Sequence, residues 1–426
     1  MTDIQTQFIE VAQLRIGMYI YLDVGWMDHP FPVSNFKISS QAQIHTIQSL
    51  GMERIRYAPA KSDAPVTEIT ATATQLQTEA DSNPLHLANQ ARKLLLANQQ
   101  ASLQVCEKQF AHAAMTSRQI SELIHTNPQK ARELTEQLIH EFLSDVLGED
   151  EAAIRLLSEK AGEKSSLHAV NVTVISLLLG KALKLSKHDM LDLGLAAFLH
   201  DIGKLELPDR LRWADEQYSA TEKHLFYQHV AHSVNLSRKM GLSPGAQLAI
   251  GQHHEFGDGG GYPNHLHEDK LGQTSRILAL VNFYDNLCNS NNPALAITPH
   301  EALSQIFTQY KNRFHTNTLT TFIRMMGIYP PGSVVQLTDE RYALVVSVNP
   351  GRPIKPRVII HNPEIPRDEA LVINLEDEPV LCIQRSLKPL QLPKAAYDYL
   401  SPRRRLCYFF ERGLEADVHA KTVAAK

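Results

Sequence analysis

Cysteine is scarce in this chain: four in 426 residues, at positions 106, 288, 382 and 407, with no Cys-x-x-Cys pair among them. That spacing excludes a zinc ribbon and offers no disulfide framework, and it fits a reducing compartment, the cytoplasm. No run of about 18 apolar residues occurs, so nothing reads as a membrane span. The opening residues, MTDIQTQFIEVAQ, lack a basic stretch leading into an apolar core, so no signal peptide is expected. Charge of one sign is lacking too: 42 Lys and Arg against 46 Asp and Glu leave a net charge of −4. This balance argues against a nucleic-acid polymer or a membrane surface as partner, and a polyanionic ligand would have to be attracted by a local site. Histidine, by contrast, is abundant. Ten of the 20 lie between His168 and His267, which directs attention to metal chemistry.

The length is too great for one ordinary core and suggests about two to four domains. Residues 1–60 read as a small α/β domain, with strands at Met18–Leu22 and Arg54–Tyr57 and a helix from Ser40 to Leu50 closed by Gly51. Residues 61–84 are rich in Ala, Thr, Ser, Gln and Asp and read as a linker. Residues 85–149 form a helical connector, broken at Asn127-Pro128, where an N-cap precedes proline at the first helical position. Residues 150–328 read as helical throughout, with a capping box at Ser219–Glu222, a stop at Gly241 and a new start at Ser243-Pro244. From 329 to 426 the texture becomes period-two and β-branched. Strands are expected at Ser333–Leu337, Tyr342–Val348, Arg357–Ile360 and Val380–Ile383, in a small β-rich domain that a barrel would suit. The fold class is therefore multidomain, with an all-α central domain between a small α/β domain and a β-rich one.

The chemistry begins at Leu199-His200-Asp201-Ile202-Gly203-Lys204. Adjacent His and Asp can serve one metal only if the apolar helix Leu191–Leu199 ends there, and Gly203 and Pro208 are read as supplying that ending. An isolated His-Asp pair is most often structural. Here, however, His168 lies on an earlier helix, His229 in the middle of a later one, and His253-His254 at the end of a third. The last pair leads into Glu255 and the loop Gly257-Asp258-Gly259-Gly260-Gly261-Tyr262-Pro263. Imidazole and carboxylate donors gathered from several helices suit Fe, Mn or Zn. Asp201 has two oxygens with which to bridge two metals, and a water between them would lose its proton near neutral pH.

This order of motifs resembles the HD-GYP domains, a branch of the HD phosphohydrolase superfamily that hydrolyses cyclic di-GMP. The resemblance covers about residues 150–328. The first 60 residues are similar to a small uncharacterised domain that often precedes it, through Leu14–Met18 and His29-Pro30-Phe31. The resemblance implies an all-α HD-type catalytic domain and two divalent transition metals, Fe or Mn. His168, His200 and Asp201 would hold the first metal, Asp201 would bridge, and His229, His253 and His254 would complete the second. Lys204 would face a phosphate oxygen. Gly261, Tyr262 and Pro263 would shape the rim of the substrate site, a surface the family also uses toward GGDEF-domain proteins. Glu255 and Asp258 are expected to order the loop rather than bind metal. The products would be pGpG, or GMP after a second cut; the sequence leaves open whether the chain forms a homodimer.

Three positions depart from the family pattern. Asn282 stands where an Asp ligand of the first metal is usual, with Asp285 one turn on. Lys164 replaces the Glu that some members use for a third metal. Residues 290–294 (Ser-Asn-Asn-Pro-Ala) lack the cations that commonly grip substrate phosphate. These departures motivate an alternative, a weakly active receptor for cyclic di-GMP or a GGDEF-binding scaffold; hydrolysis of another nucleotide is a third reading. Arg403–Arg405 are read as a solvated basic patch and Phe409-Phe410 as core. His224, His232, His265 and His267 are read as ordinary residues.

Overall fold

Local signals set several helix ends in the computed structural model, which describes residues 6–23, 35–49, 52, 54–63, 84–148, 152–158, 164–213, 217–290, 292, 295–348, 354–403 and 405–412. The chain divides into two compact units, 1–86 and 87–426. In the first, strands β1 (Gln7–Glu10), β2 (Tyr19–Tyr21), β3 (Asn35–Lys37) and β4 (Arg54–Tyr57) form an antiparallel sheet in the order β1-β4-β2-β3. Helix α1 (Gln41–Ser49) contributes Ile44 and Ile47 to a core with Met18, Ile20, Ile38 and Ile55. The α/β reading of this region holds. His29-Pro30-Phe31 and most of the expected linker lie outside the described residues.

The second unit is built largely of helices. Helix α2 runs from Pro84 to Leu123 and α3 from Pro128 to Leu147; Asn127 caps α3 by accepting from the Lys130 N–H at 3.1 Å. Then follow α4 (Lys164–Ala182), α5 (Lys187–Leu199), α6 (Ala220–Met240), α7 (Pro244–Gln252), α8 (Gln273–Cys288), α9 (Pro299–Thr308) and α10 (Thr316–Met326). The Ser219–Glu222 capping box opens α6, and Gly241, at φ 75°, closes it in the left-handed conformation that glycine adopts without strain. Among the described residues, no helix is long and apolar enough to cross a membrane.

One stretch corrects the expectation of helix throughout 150–328. Ala152–Leu156 is a strand, β5, paired antiparallel with β11 (Tyr408–Arg412) and with the end of β7 (Tyr342–Val348). A five-residue apolar run has no period that separates strand from buried helix, so the partner decides, and β11 lies more than 250 residues away. Strands β6 (Val334–Leu337), β8 (Arg357–Ile360), β9 (Val372–Asn374) and β10 (Ile383–Leu387) complete a seven-stranded sheet. No pairing among the described residues closes this sheet into a barrel. The last strand also starts later than expected: Val380 is 90% exposed, behind Pro379, which has no N–H to give a ladder. A short helix, α11 (Lys394–Leu400), precedes β11.

The sheet works on both faces. Val334, Leu344 and Val346 face the helices and join one continuous core with residues from Cys106 to Phe410. Val335, Ala343 and Val345, the alternate positions, pack with Val358 and Ile360 in a smaller core on the other face. The connector helix, the central helices and the C-terminal sheet therefore share one interior. Phe409 and Phe410 are buried there edge-on to Phe142, as core residues.

Candidate metal centre

His200 and Asp201 sit where α5 runs out. Ser186 caps the helix start, the run from Met190 to Leu199 is buried but for Leu191, and His200 is the C-cap. Beyond Asp201 the chain tightens into a 3-10 turn, Ile202–Glu206. In a continuing helix the two side chains would diverge by about 100°; the change of winding lets both face one point. Gly203 allows the turn to sit there, for a different reason than expected. Its φ is not positive; rather, a β-carbon on it would lie 2.2 Å from the His229 carbonyl oxygen and 2.3 Å from the Ser233 nitrogen. Its N–H donates to Ser233 Oγ at 2.8 Å. The glycine provides close approach to α6, not a helix stop.

Four other helices bring the remaining groups in: His168 from α4, His229 from α6, His253 and His254 from the end of α7, and Asn282 from α8. His200, His229 and His253 are buried, and each commits Nδ1–H to the carbonyl three residues earlier, on Ala197, Phe226 and Ile250, at 2.8, 2.6 and 2.6 Å. That fixes the tautomer and turns each Nε2 lone pair toward the centre. Burial pushes these imidazoles down, His200 to about 4 and His229 and His253 to about 3, against the pull of Asp201. Burial also holds His254 well below the ordinary range. All four are neutral at pH 7, the form that ligates metals. Asp201 behaves oppositely. Burial would raise its carboxyl, but Lys204 and the surrounding histidines hold it well below the usual carboxylate value.

The carboxylate of Asp201 divides the site in two. Oδ2 lies 3.6 Å from His168 Nε2 and 3.5 Å from His200 Nε2; Oδ1 lies 3.4 Å from His229 Nε2 and 3.7 Å from His253 Nε2. Donor atoms of His168, His200 and Asp201 fall within 4.8 Å of one another, as do those of Asp201, His229, His253 and His254. Asn282 Oδ1 stands 3.0 Å from His168 Nε2, so the amide joins the first group.

These groups fit cations better than they fit each other. The Nε2 atoms of His229 and His253 are 3.3 Å apart, with both ring hydrogens already spent on carbonyls, so two lone pairs face one another. Asp201 Oδ1 and His254 Nε2 are buried without a hydrogen-bond partner among the described residues, which ordinarily costs about 1–3 kcal/mol for each group. Mixed nitrogen and oxygen donors of this kind suit divalent transition metals.

Comparison with known proteins gives the same direction. Residues 118–317 match the family model of the HD domain, and residues 6–134 match a domain of unknown function, DUF3391. Just under half of the chain thus matches the HD-domain model. It is 25% identical over 369 residues to a cyclic di-GMP phosphodiesterase of Pseudomonas aeruginosa, covering 82% of this chain and 84% of that one. It is 22% identical over 201 residues to the cyclic di-GMP phosphodiesterase PdeB of Borreliella burgdorferi, covering 47% and 53%. A 3′3′-cGAMP-specific phosphodiesterase of Vibrio cholerae is 32% identical over 134 residues, covering 31% and 28%. The DUF3391 match extends well past the 60 residues that the sequence reading assigned to it.

The glycine-rich loop of the HD domain presses on the second donor group. Tyr262 stacks between His254, at 4.4 Å, and Tyr227, at 3.8 Å. Gly261 lies against the backbone of 254–256, where a β-carbon would meet the His254 carbonyl at 2.4 Å. Pro263 is exposed. Glu255 is fully buried and accepts from the N–H groups of Asn264 and Leu266 at 2.6 and 2.9 Å, so it orders the loop. Asp258 does the same by accepting from Gly260 N–H at 2.8 Å. Among the described residues, His224, His232, His265 and His267 join neither donor group. The side chain of Lys164 is outside the described residues.

The sequence reading missed Asp285 as a working residue. It is buried, and its Oδ2 accepts from His168 Nδ1 at 2.6 Å while Oδ1 accepts from Asn171 and Asn289, each at 2.9 Å. The spacing of Asn282 and Asp285, one helical turn, was the available signal. Asp285→Asn should lower metal affinity about 10–100-fold, the usual effect of losing such an orienting partner. With its amide oxygen kept on the two asparagines, the new NH2 would face His168 Nδ1 and force the hydrogen onto Nε2, the wrong tautomer for ligation. Metal titration of the stripped protein checks this; unchanged affinity at the weaker of two sites would show that His168 needs no such orientation.

Proposed function

We propose that this chain is a metal-dependent phosphodiesterase that opens cyclic di-GMP to pGpG, and to GMP after a second cut. The observation that carries the reading is Asp201, whose two oxygens address two separate sets of imidazole nitrogens. His168, His200, Asn282 and Asp201 would hold one ion, and Asp201, His229, His253 and His254 the other. When bound, the ions supply Lewis acidity toward phosphoryl oxygen and toward water. The chain's own groups do the rest. Backbone carbonyls lock three imidazole tautomers, and Asp285 orients the fourth. Lys204, whose Nζ is 2.5 Å from Asp201 Oδ2, lines the same cleft as His168 and places an ammonium where a phosphate oxygen gathers charge. Tyr262 shields His254 from solvent, and its loop forms the rim.

Protein purified without oxygen and supplied with Mn or Fe is expected to hold two ions per chain and to hydrolyse cyclic di-GMP in preference to 3′3′-cGAMP. A second reading, a weakly active receptor or scaffold, is favoured by one feature: Asn282 gives the first ion an uncharged oxygen, which binds transition metals more weakly than a carboxylate. Asn282→Asp separates the two. If wild type binds one ion and leaves cyclic di-GMP intact while Asn282→Asp binds two and turns it over, the receptor reading stands. If both are active, with the variant at most about tenfold faster, the enzyme reading stands.

A further inference from the structure

The cleft beside His168 and Asp201 is lined by three cations, Lys204, Arg212 and Arg405. Two of them are engaged. Lys204 is paired with Asp201 at 2.5 Å, and Arg212 with Asp209 at 3.0 Å. Arg405 is half-buried, and its guanidinium has no hydrogen-bond or ion-pair partner among the described residues. This corrects the expectation that Arg403–Arg405 form a solvated patch: Arg405 turns into the cleft. Arg404 lies outside the described residues.

The position of Arg405 is anchored. The next residue, Leu406, donates its N–H to Asn289 Oδ1 at 2.8 Å, and its carbonyl accepts from Asn171 at 2.7 Å and Asn289 at 3.2 Å. Asn171 also accepts from the Tyr408 N–H at 2.9 Å. The same two asparagines hold Asp285, which holds His168. The backbone carrying Arg405 is therefore tied to the framework that carries the metal donors, so the cation and the donors keep one geometry. A partly desolvated guanidinium with no acid beside it gains most from an anion that enters the cleft, and its planar fork matches two oxygens of a phosphate.

We propose that Arg405, from the segment that leads into β11, is a phosphate-binding residue of the site and grips non-bridging oxygens of the phosphodiester substrate. The inference rests on the phosphodiesterase reading for the identity of the substrate, but not for the chemistry of the anion. It makes the C-terminal sheet part of the substrate site rather than an appended module.

The test is equilibrium binding of cyclic di-GMP, and separately of inorganic phosphate, to metal-loaded wild type, Arg405→Ala and Arg405→Lys, with metal content and melting temperature measured on each. Arg405→Ala is expected to weaken both ligands by about 10–100-fold, the range for a lost hydrogen bond to a charged group. Metal content should not change. Arg405→Lys should recover part of the affinity, since it keeps the charge without the fork. Wild-type affinity in Arg405→Ala, or a wild type that binds neither ligand, overturns the inference. So does loss of metal from Arg405→Ala, which would make the residue a prop of the centre. Arg405-dependent binding of phosphate without binding of cyclic di-GMP would keep the anion site and sink the cyclic di-GMP reading.

Discussion

Asp201→Asn is expected to strip both metal ions and to reduce cyclic di-GMP turnover by on the order of 10³-fold or more, with little change in fold. Every other donor serves one side of the centre, whereas the two oxygens of Asp201 lie 3.4 to 3.7 Å from imidazole nitrogens on both sides. An amide of the same shape offers one weak oxygen donor and turns an NH2 group toward the other ion. It also removes the negative charge that would offset bound cations beside Lys204. The fold should survive, because Asp201 is partly exposed and contributes polar rather than packing contacts. Elemental analysis of metal per chain, with melting temperature in chelator as the control, reads the effect. His229→Ala is the comparison: it should empty one side only. If Asp201→Asn retains two ions and wild-type turnover, the bridging assignment is wrong.

Gly203→Ala should lower stability by about 3 kcal/mol, the upper end for overpacking, and should loosen the second metal side as well. The added carbon would overlap the His229 carbonyl and the Ser233 nitrogen, which belong to helix backbone and cannot rotate away. Relief requires the 3-10 turn to move off α6, the helix that carries His229. That movement separates Asp201 and Lys204 on one element from His229 on the other. Chemical denaturation should show a lower midpoint at unchanged slope, and metal titration should show one site weakened more than the other. A variant with wild-type stability and two intact sites would mean that the turn is free to shift without consequence.

Much of the site was legible because its signals are local. The capping box at Ser219–Glu222, the stop at Gly241, the start at Ser243-Pro244 and the apolar run before His200 each depend on neighbours within a few residues, and each formed as read. The side chains of His168, His200, Asp201, His229, His253, His254 and Asn282, which are distant in sequence, lie near one another. The role of Gly203 was misread because a close approach between two elements leaves the same residue type in the sequence as a helix stop.

Residue types and their local spacing determined by themselves the long helices, those helix ends that carry a capping signal, and which side chains can bind a transition metal. Hydrogen bonding within a helix reaches only four residues, so the chain carries that information in short stretches. Tertiary structure alone decided that 152–156 is a strand, that Asp285 orients His168, and that Arg405 reaches the cleft. These depend on partners 117 to 256 residues apart, such as Asp285 with His168 and Arg155 with Glu411. No period in a local window encodes such a pairing; it emerges only when burial of the shared core brings the partners together.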